Sequence, residues 1–258
     1  MTDYPIIALW AHPRSMSTAT ERIMRERGDL DCAHEPFMYD YYVHRRARCM
    51  PNFEVQPDHP VDYADIRAML LKRAEAGPVF FKDMAYYVTP YLDEDRGFRD
   101  RLRHAFLVRD PRAAIASYHR LDPGLTKEEV GIAAQWQLYQ HLEAAGCAPA
   151  VLRAEDIRAD PHGMMRAFWH AVGLPDVPHA LDWAGPPPDD WEQVGSWHEA
   201  ASTSEGIRPM PPDHAARAAS KFETAAAGAP HLHDYLAAHL PAYEALAARA
   251  LKPAPPAV

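Results

Sequence analysis

Short, continuous apolar runs alternate with longer amphipathic stretches along this chain. The apolar runs cover residues 6–10, 30–33, 79–81, 105–108 and 149–152. Runs of this length without polar alternation are typical of strands buried on both faces of a parallel sheet. Because helical patterns separate them, the sequence predicts an α/β fold, a three-layer sandwich with a mostly parallel central sheet.

Helix start signals mark where the intervening helices begin. Thr18 and Glu21 have the spacing of a capping box, and so do Thr126 and Glu129. Asp110 stands directly before a proline, which predicts that it caps a helix with proline in the first position. The sequence therefore predicts one helix after each of these signals.

The pattern shows no internal repeat and no clear boundary between domains. We expect residues 1–258 to form a single domain, with its core over about 5–175 and further helices over 213–250. The stretch 184–212 is rich in Pro, Gly, Ser and Asp. Loops this long are often functional, so we expect it to cap a binding site.

Composition narrows the range of functions and locations. The formal net charge is -9, which argues against sequence-independent binding of nucleic acid because such binding needs a basic surface. Three irregularly spaced cysteines predict free thiols in a reducing compartment. Neither a signal peptide nor a membrane-length apolar stretch is visible. We expect a cytoplasmic protein with no membrane partner.

Four charged side chains lie at, or just beyond, the C-terminal ends of the predicted strands. They are Arg14, Glu35, Lys82 and Arg109. Ligands of open α/β sheets bind at the carboxyl ends of the strands, so these side chains are expected to share one cleft. An anionic ligand of this acidic protein would need such a local basic cluster.

The first strand leads through a tight loop into a helix, an arrangement that binds anions at the free N–H groups of the helix. The candidate ligand-binding residues are Pro13, Arg14, Ser15, Met16, Ser17 and Thr18. Compared with the nucleotide-binding P-loop, Ser17 takes the place of the phosphate-binding lysine. An ATP-dependent kinase is therefore disfavoured. The alternative is a strand–turn–helix with a surface arginine.

A second loop, residues 109–117, carries the more specific signal. Arg109 at a strand end, with Ser117 eight residues later in a helix, resembles the 3′-phosphate site of sulfotransferases. Residues 13–18 resemble the 5′-phosphosulfate loop of the same family. Lys82, with the aspartate after it, and residues 152–157 also resemble family segments in their order along the chain. The alternatives are a surface salt bridge for Arg109 and a bond from Ser117 to a helix carbonyl.

The resemblance covers about residues 5–175 and implies a P-loop-like sulfotransferase fold. It also implies transfer of a sulfuryl group from 3′-phosphoadenosine-5′-phosphosulfate (PAPS) to a hydroxyl or amine of a small molecule, with adenosine 3′,5′-bisphosphate as product. Two residues depart from the family. Met16 stands where glycine is usual, and Ala19 stands where several members carry an aromatic residue that stacks on adenine. Trp197 or another aromatic residue would then contact the adenine.

The resemblance also implies roles in catalysis. Arg14 and Lys82 would stabilise the leaving phosphate, and Glu35 would be the general base. His34 or His12 could replace Glu35 as base, and Glu35 could instead brace Arg14. No residue set with metal-ligand spacing is visible, and the reaction does not require a metal.

The acceptor and the oligomeric state stay open. An aromatic run beside Glu35 is expected either to line the acceptor pocket or to pack in the core; it comprises Phe37, Met38, Tyr39, Tyr41 and Tyr42. In similar enzymes a late loop folds over the nucleotide, and the candidate residues here are Trp197, His198, Ser202, Thr203 and Ser204. Two alternative functions remain, a P-loop-related kinase and a non-catalytic nucleotide-binding protein.

Overall fold

A five-stranded parallel sheet forms the centre of the computed structural model, which describes residues 4–51, 53–183, 186, 188, 191, 197 and 203–255. The spatial order of the strands is β2–β3–β1–β4–β5. Their bounds are β1 (Ile6–Ala11), β2 (Asp31–His34), β3 (Val79–Met84), β4 (Leu102–Val108) and β5 (Ala150–Arg153). All four pairings are parallel. The five strands predicted from apolar runs are confirmed.

Helices connect the strands and cover the sheet. The first half of the chain contains α1 (Ser17–Glu26), α2 (Tyr63–Arg73), α3 (Ala85–Leu92), α4 (Arg96–Arg99) and α5 (Pro111–Leu121), with a π-helical turn over Asp40–His44. The second half contains α6 (Ile132–Ala144), α7 (Ala154–Ala159), α8 (Pro161–Ala171), α9 (His214–Gly228) and α10 (Leu232–Ala247). Short 3-10 turns occupy Glu128–Val130 and Pro178–Leu181.

The central strand β1 shows how the three layers form. Successive strand residues point to opposite faces of a sheet. Ile6, Ala8 and Trp10 pack into a core with α2, α3, α5, α6, α9 and α10, whereas Ile7 and Leu9 pack into a second core with α1, α7 and α8. All five residues are fully buried. The sheet therefore lies between two helical layers, as the sequence predicts.

The predicted cap of α5 is present, and the residues of the second capping box contact each other. The side chain of Asp110 accepts a hydrogen bond of 2.8 Å from the N–H of Arg112. Thr126 and Glu129 exchange hydrogen bonds, since each side chain accepts from the N–H of the other residue. The Asp110 contact satisfies an N–H group that a helix start leaves free. The Thr126–Glu129 contacts instead precede a 3-10 turn over Glu128–Val130, and α6 begins after it at Ile132 without a side-chain cap.

The capping box predicted for Thr18 and Glu21 is wrong. The helix already begins at Ser17, so Thr18 lies inside its first turn, and no side chain caps α1. The Glu21 carboxylate accepts hydrogen bonds instead from Arg25 and from the indole of Trp191. A partner one helical turn away, Arg25, and a distant partner, Trp191, thus take the place of the local cap.

The helices α3 and α4 follow β3, but no apolar–polar pattern in the sequence predicts them. β3 passes into α3 at Ala85 with no Gly or Pro between them. The side chain of Asp95 caps α4 by accepting from the N–H of Phe98 at 3.0 Å. Within the described ranges, no helix combines the length and the apolar character that a bilayer crossing demands.

Candidate active site

A cavity of about 1100 Å³ opens at the carboxyl ends of the strands. Arg14 follows β1, Glu35 follows β2, Lys82 lies near the end of β3, and Arg109 follows β4. All four line this cavity. The prediction that these side chains share one cleft is confirmed.

The loop after β1 has a left-handed backbone at two positions that are not glycine. Arg14 has φ 64° and Met16 has φ 77°. Met16 thus adopts the conformation that glycine takes without strain, and α1 begins at the next residue. The loop keeps the course of a glycine loop although it carries a larger residue.

The predicted residues of this loop differ in their access to the cavity. Five of them line it, namely Pro13, Arg14, Met16, Ser17 and Thr18. Ser15 is fully buried beneath the loop and does not line the cavity. Its N–H donates to the carbonyl of His12 at 3.2 Å, which closes the turn.

The Arg14 guanidinium is held in the cavity by two hydrogen bonds. Its Nε donates to Ser117 Oγ at 3.1 Å, and its Nη1 donates to the Trp197 carbonyl at 2.7 Å. Burial lowers the pKa of Arg14 to about 10, and repulsion from Arg109 and Arg120 adds to this, so the side chain stays cationic at neutral pH. Because Ser117 accepts from Arg14, its own hydroxyl proton is available to a ligand.

Arg109 is attached to the first loop rather than to a carboxylate. Its Nη1 donates to the carbonyl of Arg14 at 2.8 Å. The two neighbouring carboxylates bind elsewhere: the Asp110 side chain lies 3.7 Å from Arg112, and Glu155 Oε1 accepts from the N–H of Asp110 at 3.0 Å. Burial lowers the pKa of Arg109. Its charge is therefore available to an anionic ligand.

His12 is a buried residue that connects the loop after β1 to the loop after β4. Its Nε2 accepts a hydrogen bond of 3.1 Å from the N–H of Arg109, and its Nδ1 lies 3.1 Å from the carbonyl of Pro13. This pairing assigns the proton to Nδ1. Burial lowers the pKa of His12 to about 3, so the ring is neutral. His12 is fully buried and does not line the cavity.

Gln135 is a second buried link, and the sequence analysis did not identify it. Its Nε2 donates to the carbonyl of Trp10 at 2.9 Å and to the carbonyl of Leu107 at 3.0 Å. The side chain is fully buried on α6. The sequence signal that could have identified Gln135 is a polar residue within the apolar stripe of a helix. Gln135 joins β1 to β4 immediately before the two arginine loops.

Glu35 and Lys82 form a buried ion pair at the other side of the cavity. The N–H of Glu35 donates to the carbonyl of Lys82 at 3.1 Å, and Glu35 has a left-handed backbone with φ 42°. The neighbouring Asp83 accepts from the N–H of Phe37 at 2.7 Å. Burial, together with the charge of Glu35, raises the pKa of Asp83. The turn that carries Glu35 is thus fixed at both ends to β3.

His34 does not reach the cavity. Its Nδ1 lies 2.6 Å from Glu21 Oε2 in the layer behind β2. Burial lowers the pKa of His34 well below its usual range. Of the three residues considered as general base, Glu35 lines the cavity, whereas His34 and His12 do not.

The cavity lining is strongly basic although the protein is acidic. Among the described lining residues, nine are Lys or Arg: Arg14, Lys82, Arg109, Arg120, Arg153, Arg158, Arg208, Arg217 and Lys221. Three of the described lining residues are acidic, namely Glu35, Asp110 and Glu155. This excess of positive charge favours an anionic ligand. Five of the nine lie outside the segments that resemble the family, namely Arg120, Arg158, Arg208, Arg217 and Lys221.

Two tryptophans border the cavity, and they differ in the hydrogen bonding of the indole N–H. The ring of Trp197 packs edge-on against Tyr118 with 5.2 Å between centroids, and its N–H donates to the carbonyl of Pro51 at 3.3 Å. The indole N–H of Trp183 is buried and has no hydrogen-bond partner among the described residues. Trp183 therefore offers the cavity aromatic surface, whereas its N–H is buried.

The aromatic run beside Glu35 belongs mostly to the core. Phe37, Met38, Tyr39 and Tyr41 pack within it, and Tyr42 alone of the run lines the cavity. In the late loop, Ser204 lines the cavity but Thr203 does not. His198 and Ser202 lie outside the described residues.

A comparison with known protein families decides the assignment. The family model of the sulfotransferase domain matches residues 5–250 of this chain. The chain belongs to the sulfotransferase domain family. The predicted membership of the sulfotransferase family is thereby confirmed.

Two curated relatives of this sulfotransferase domain come from Arabidopsis thaliana. Branched-chain-amino-acid aminotransferase-like protein 2 is 25% identical over 216 residues, which are 78% of this chain and 36% of the relative. Branched-chain-amino-acid aminotransferase-like protein 1 is 24% identical over 221 residues, which are 80% of this chain and 37% of the relative. The chain thus spans little more than a third of either protein, and their names describe those whole proteins.

A solved sulfotransferase from Alicyclobacillus acidocaldarius has the same fold. The alignment covers 97% of this chain and 98% of that one, with a TM-score of 0.50 and 15% identity. The parallel sheet with helices on both faces is therefore a sulfotransferase fold.

Proposed function

We propose that this sulfotransferase domain transfers a sulfuryl group from PAPS to a hydroxyl of a small-molecule acceptor. One observation carries the choice of donor. Arg14 and Arg109, which the resemblance assigns to opposite ends of the nucleotide, line one cavity and are joined by a hydrogen bond of 2.8 Å. A ligand with two separate anionic groups matches this pair.

The donor side of the cavity fits a nucleotide in charge and in shape. Arginine binds phosphate with two parallel hydrogen bonds, and both loop arginines stay cationic. The N-terminus of α1 adds N–H donors at Ser17 and Thr18. The aromatic side chain of Trp183 lies in the cavity lining. Trp183 thus replaces Trp197 as our candidate for adenine contact.

Bound PAPS would supply the sulfuryl group and a phosphate leaving group. Arg14 and Lys82 provide the positive charge that stabilises negative charge on leaving oxygens. Glu35 accepts the proton of the acceptor hydroxyl on a carboxylate oxygen. The ion pair between Glu35 and Lys82 holds the base and the leaving-group cation together.

Isothermal titration calorimetry with the purified protein tests the donor. We expect adenosine 3′,5′-bisphosphate to bind more tightly than adenosine 5′-phosphate and more tightly than ATP with Mg²⁺. ATP with Mg²⁺ is the ligand that a P-loop-related kinase would prefer. Tighter binding of ATP with Mg²⁺ would replace this proposal by the kinase.

A further inference from the structure

A buried carboxylate lies behind the proposed base. The side chain of Asp83 is fully buried at the end of β3, and Asp83 is not one of the described residues that line the cavity, although its neighbours Lys82 and Met84 are. We propose that Asp83 is a positioning residue for the reaction: it fixes the turn that directs the Glu35 carboxylate into the cavity. The inference rests on the proposed function, in which Glu35 is the base, and adds the residue that holds this base in place.

The backbone at Glu35 has a conformation that needs support from its surroundings. Its φ of 42° lies in the left-handed region, which a residue with a side chain rarely adopts. Pro36 follows, and a residue before proline favours an extended backbone instead. Such a strained position persists only where neighbouring contacts impose it. The turn therefore depends on the contacts that residues 35–38 make with β3.

Asp83 supplies the contact on the far side of this turn. The N–H of Glu35 donates to the carbonyl of the residue before Asp83 at 3.1 Å, but Pro36 has no N–H to donate. The next donor is the N–H of Phe37, which donates to Asp83 Oδ2 at 2.7 Å. The other carboxylate oxygen, Oδ1, accepts from the N–H of Met84 at 3.1 Å. Asp83 thus joins the end of β3 to the turn directly after the base.

The ring of Phe37 holds the same segment but leaves the direction of the Glu35 side chain open. Phe37 is fully buried, and its ring lies 5.9 Å from that of Phe81 between centroids. Packing fixes the position of the ring, whereas the hydrogen bond to Asp83 fixes the plane of the peptide that precedes it. A buried N–H without an acceptor is costly, so this peptide would rotate towards another partner if Asp83 were lost. Rotation of the peptide changes where Glu35 holds its carboxylate.

The proton transfer explains why the position of the base matters. In the proposed reaction the acceptor oxygen forms a bond to sulfur while the bond from sulfur to the bridging phosphate oxygen breaks. The acceptor proton passes to Glu35, and the electron pair of the broken bond stays on the phosphate. A general base must lie within hydrogen-bond reach of the proton that it accepts, and a displacement of about 1 Å can lower the rate by about 10²-fold. Asp83 therefore affects kcat without touching either substrate.

Steady-state kinetics with radiolabelled PAPS, on an acceptor that the parent sulfates, test this role. Asp83→Ala removes both acceptor oxygens and is expected to lower kcat by about 10²-fold. Asp83→Asn keeps one acceptor oxygen, which can still accept from the N–H of Phe37, so a smaller loss of about tenfold is expected. The dissociation constant of adenosine 3′,5′-bisphosphate, measured by calorimetry, should equal that of the parent in both variants. A parent-like kcat in Asp83→Ala would overturn the inference.

A double-mutant cycle shows whether Asp83 acts through Glu35. In the Glu35→Gln background there is no base left to position, so adding Asp83→Ala should lower kcat by less than about twofold. A residue that only stabilises the fold would lower the activity by the same factor in both backgrounds. Equal factors would therefore also overturn the inference.

A backbone substitution keeps the inference testable if Asp83→Ala does not fold. Replacing Phe37 by 3-phenyllactate exchanges its N–H for an ester oxygen and leaves both side chains in place. This change removes the same hydrogen bond from the donor side, so kcat should again fall, by about tenfold or more. A parent-like kcat with the ester would contradict the role of Asp83.

Asp62 provides the matched control. Its carboxylate also accepts from a main-chain N–H, that of Asp65 at 2.9 Å, at the start of α2. Asp62 is not among the described residues that line the cavity. Asp62→Asn should therefore keep the parent kcat, and a loss equal to that of Asp83→Asn would show that the effect is not specific to the turn behind Glu35.

The two proposals fail in different ways. If adenosine 3′,5′-bisphosphate does not bind, the proposed donor is wrong, and if Glu35→Gln keeps the parent kcat, the proposed base is wrong. If the nucleotide binds and Glu35→Gln lowers kcat, the proposed function stands. The positioning role alone is then wrong if Asp83→Ala keeps the parent kcat or lowers it by the same factor in both backgrounds.

Discussion

The guanidinium of Arg109 donates a hydrogen bond to the main-chain carbonyl of Arg14 across 95 positions of sequence. The two residues follow neighbouring strands, since β1 pairs with β4 from Ile6 and Leu102 onwards. One loop therefore fixes the position of the other. A ligand that engages both arginines meets a site that is assembled before it arrives, which reduces the ordering cost of binding.

Replacing Arg109 by alanine tests its role at the proposed 3′-phosphate site. We expect Arg109→Ala to weaken binding of adenosine 3′,5′-bisphosphate by about 1.5–3 kcal/mol, the usual contribution of a hydrogen bond to a charged group. Binding of adenosine 5′-phosphate should change much less. Calorimetric titration of both nucleotides measures the difference.

Two further variants separate charge from geometry in that experiment. Arg109→Lys keeps the charge but not the planar fork, so an intermediate loss is expected. Arg96, whose side chain is 82% exposed on α4, provides the control, and Arg96→Ala should bind both nucleotides as the parent does. Equal losses for the two nucleotides in Arg109→Ala would show that Arg109 does not contact the 3′-phosphate.

Glu35→Gln tests the proposed base. Glutamine can still accept a hydrogen bond from Lys82 but cannot take up a proton, so kcat should fall by about 10²–10⁴-fold. The affinity for adenosine 3′,5′-bisphosphate should hold. Steady-state kinetics with an acceptor that the parent sulfates, combined with calorimetry, measures both quantities. A kcat equal to that of the parent would leave Glu35 a structural role only.

Protonation of His12 makes stability depend on pH. In the folded protein burial lowers the pKa of His12 to about 3, from an ordinary value of 6.5. The unfolded chain therefore binds a proton that the native protein does not, and stability falls as the pH decreases from about 6.5 towards 3. Between pH 7 and pH 5 this group contributes a loss of about 2 kcal/mol.

Urea unfolding of His12→Asn at both pH values measures that contribution. The parent should lose about 2 kcal/mol more than the variant when the pH changes from 7 to 5. The buried Asp83 acts in the opposite direction because its pKa is raised, but both proteins contain it. The exposed His162 supplies the control, and His162→Asn should follow the parent. Parallel pH profiles of the parent and His12→Asn would refute the assignment.

Gln135→Met should destabilise the fold although methionine has a similar size. The carbonyls of Trp10 and Leu107 would lose a buried donor, at a cost of about 1–3 kcal/mol each. Gln137 is exposed on the same helix, so Gln137→Met is the matched control and should change stability by less than about 0.5 kcal/mol. Denaturant unfolding at pH 7 compares the two. Equal free energies of unfolding would show that this link does not stabilise the sheet.

The sequence predicts the sheet and the location of the site for a clear physical reason. Strands buried on both faces leave continuous apolar runs, and parallel strands end at one edge, so Arg14 and Arg109 had to lie near each other. The links beneath them were not predictable in the same way. Gln135 and Trp183 owe their roles to helices and loops that fold back from distant parts of the chain, and no local pattern specifies such contacts.

The capping box that was wrongly predicted at the start of α1 also shows the limit of local sequence patterns. The spacing of Thr18 and Glu21 is locally sound, yet Glu21 is fully buried with partners from other elements. Tertiary burial of a charged group outweighs a local signal. Met16 is a similar case, because the course of the whole loop imposes a backbone that its side chain disfavours.

The central position of β1 has a consequence for biosynthesis. This strand is synthesised before both of its neighbours in the sheet, which begin at Val79 and Leu102. A nascent chain that stops before these residues exposes a bare apolar strand with two open edges, which is prone to aggregate. Both edges of β1 are paired only once β4, which ends at Val108, has also been synthesised.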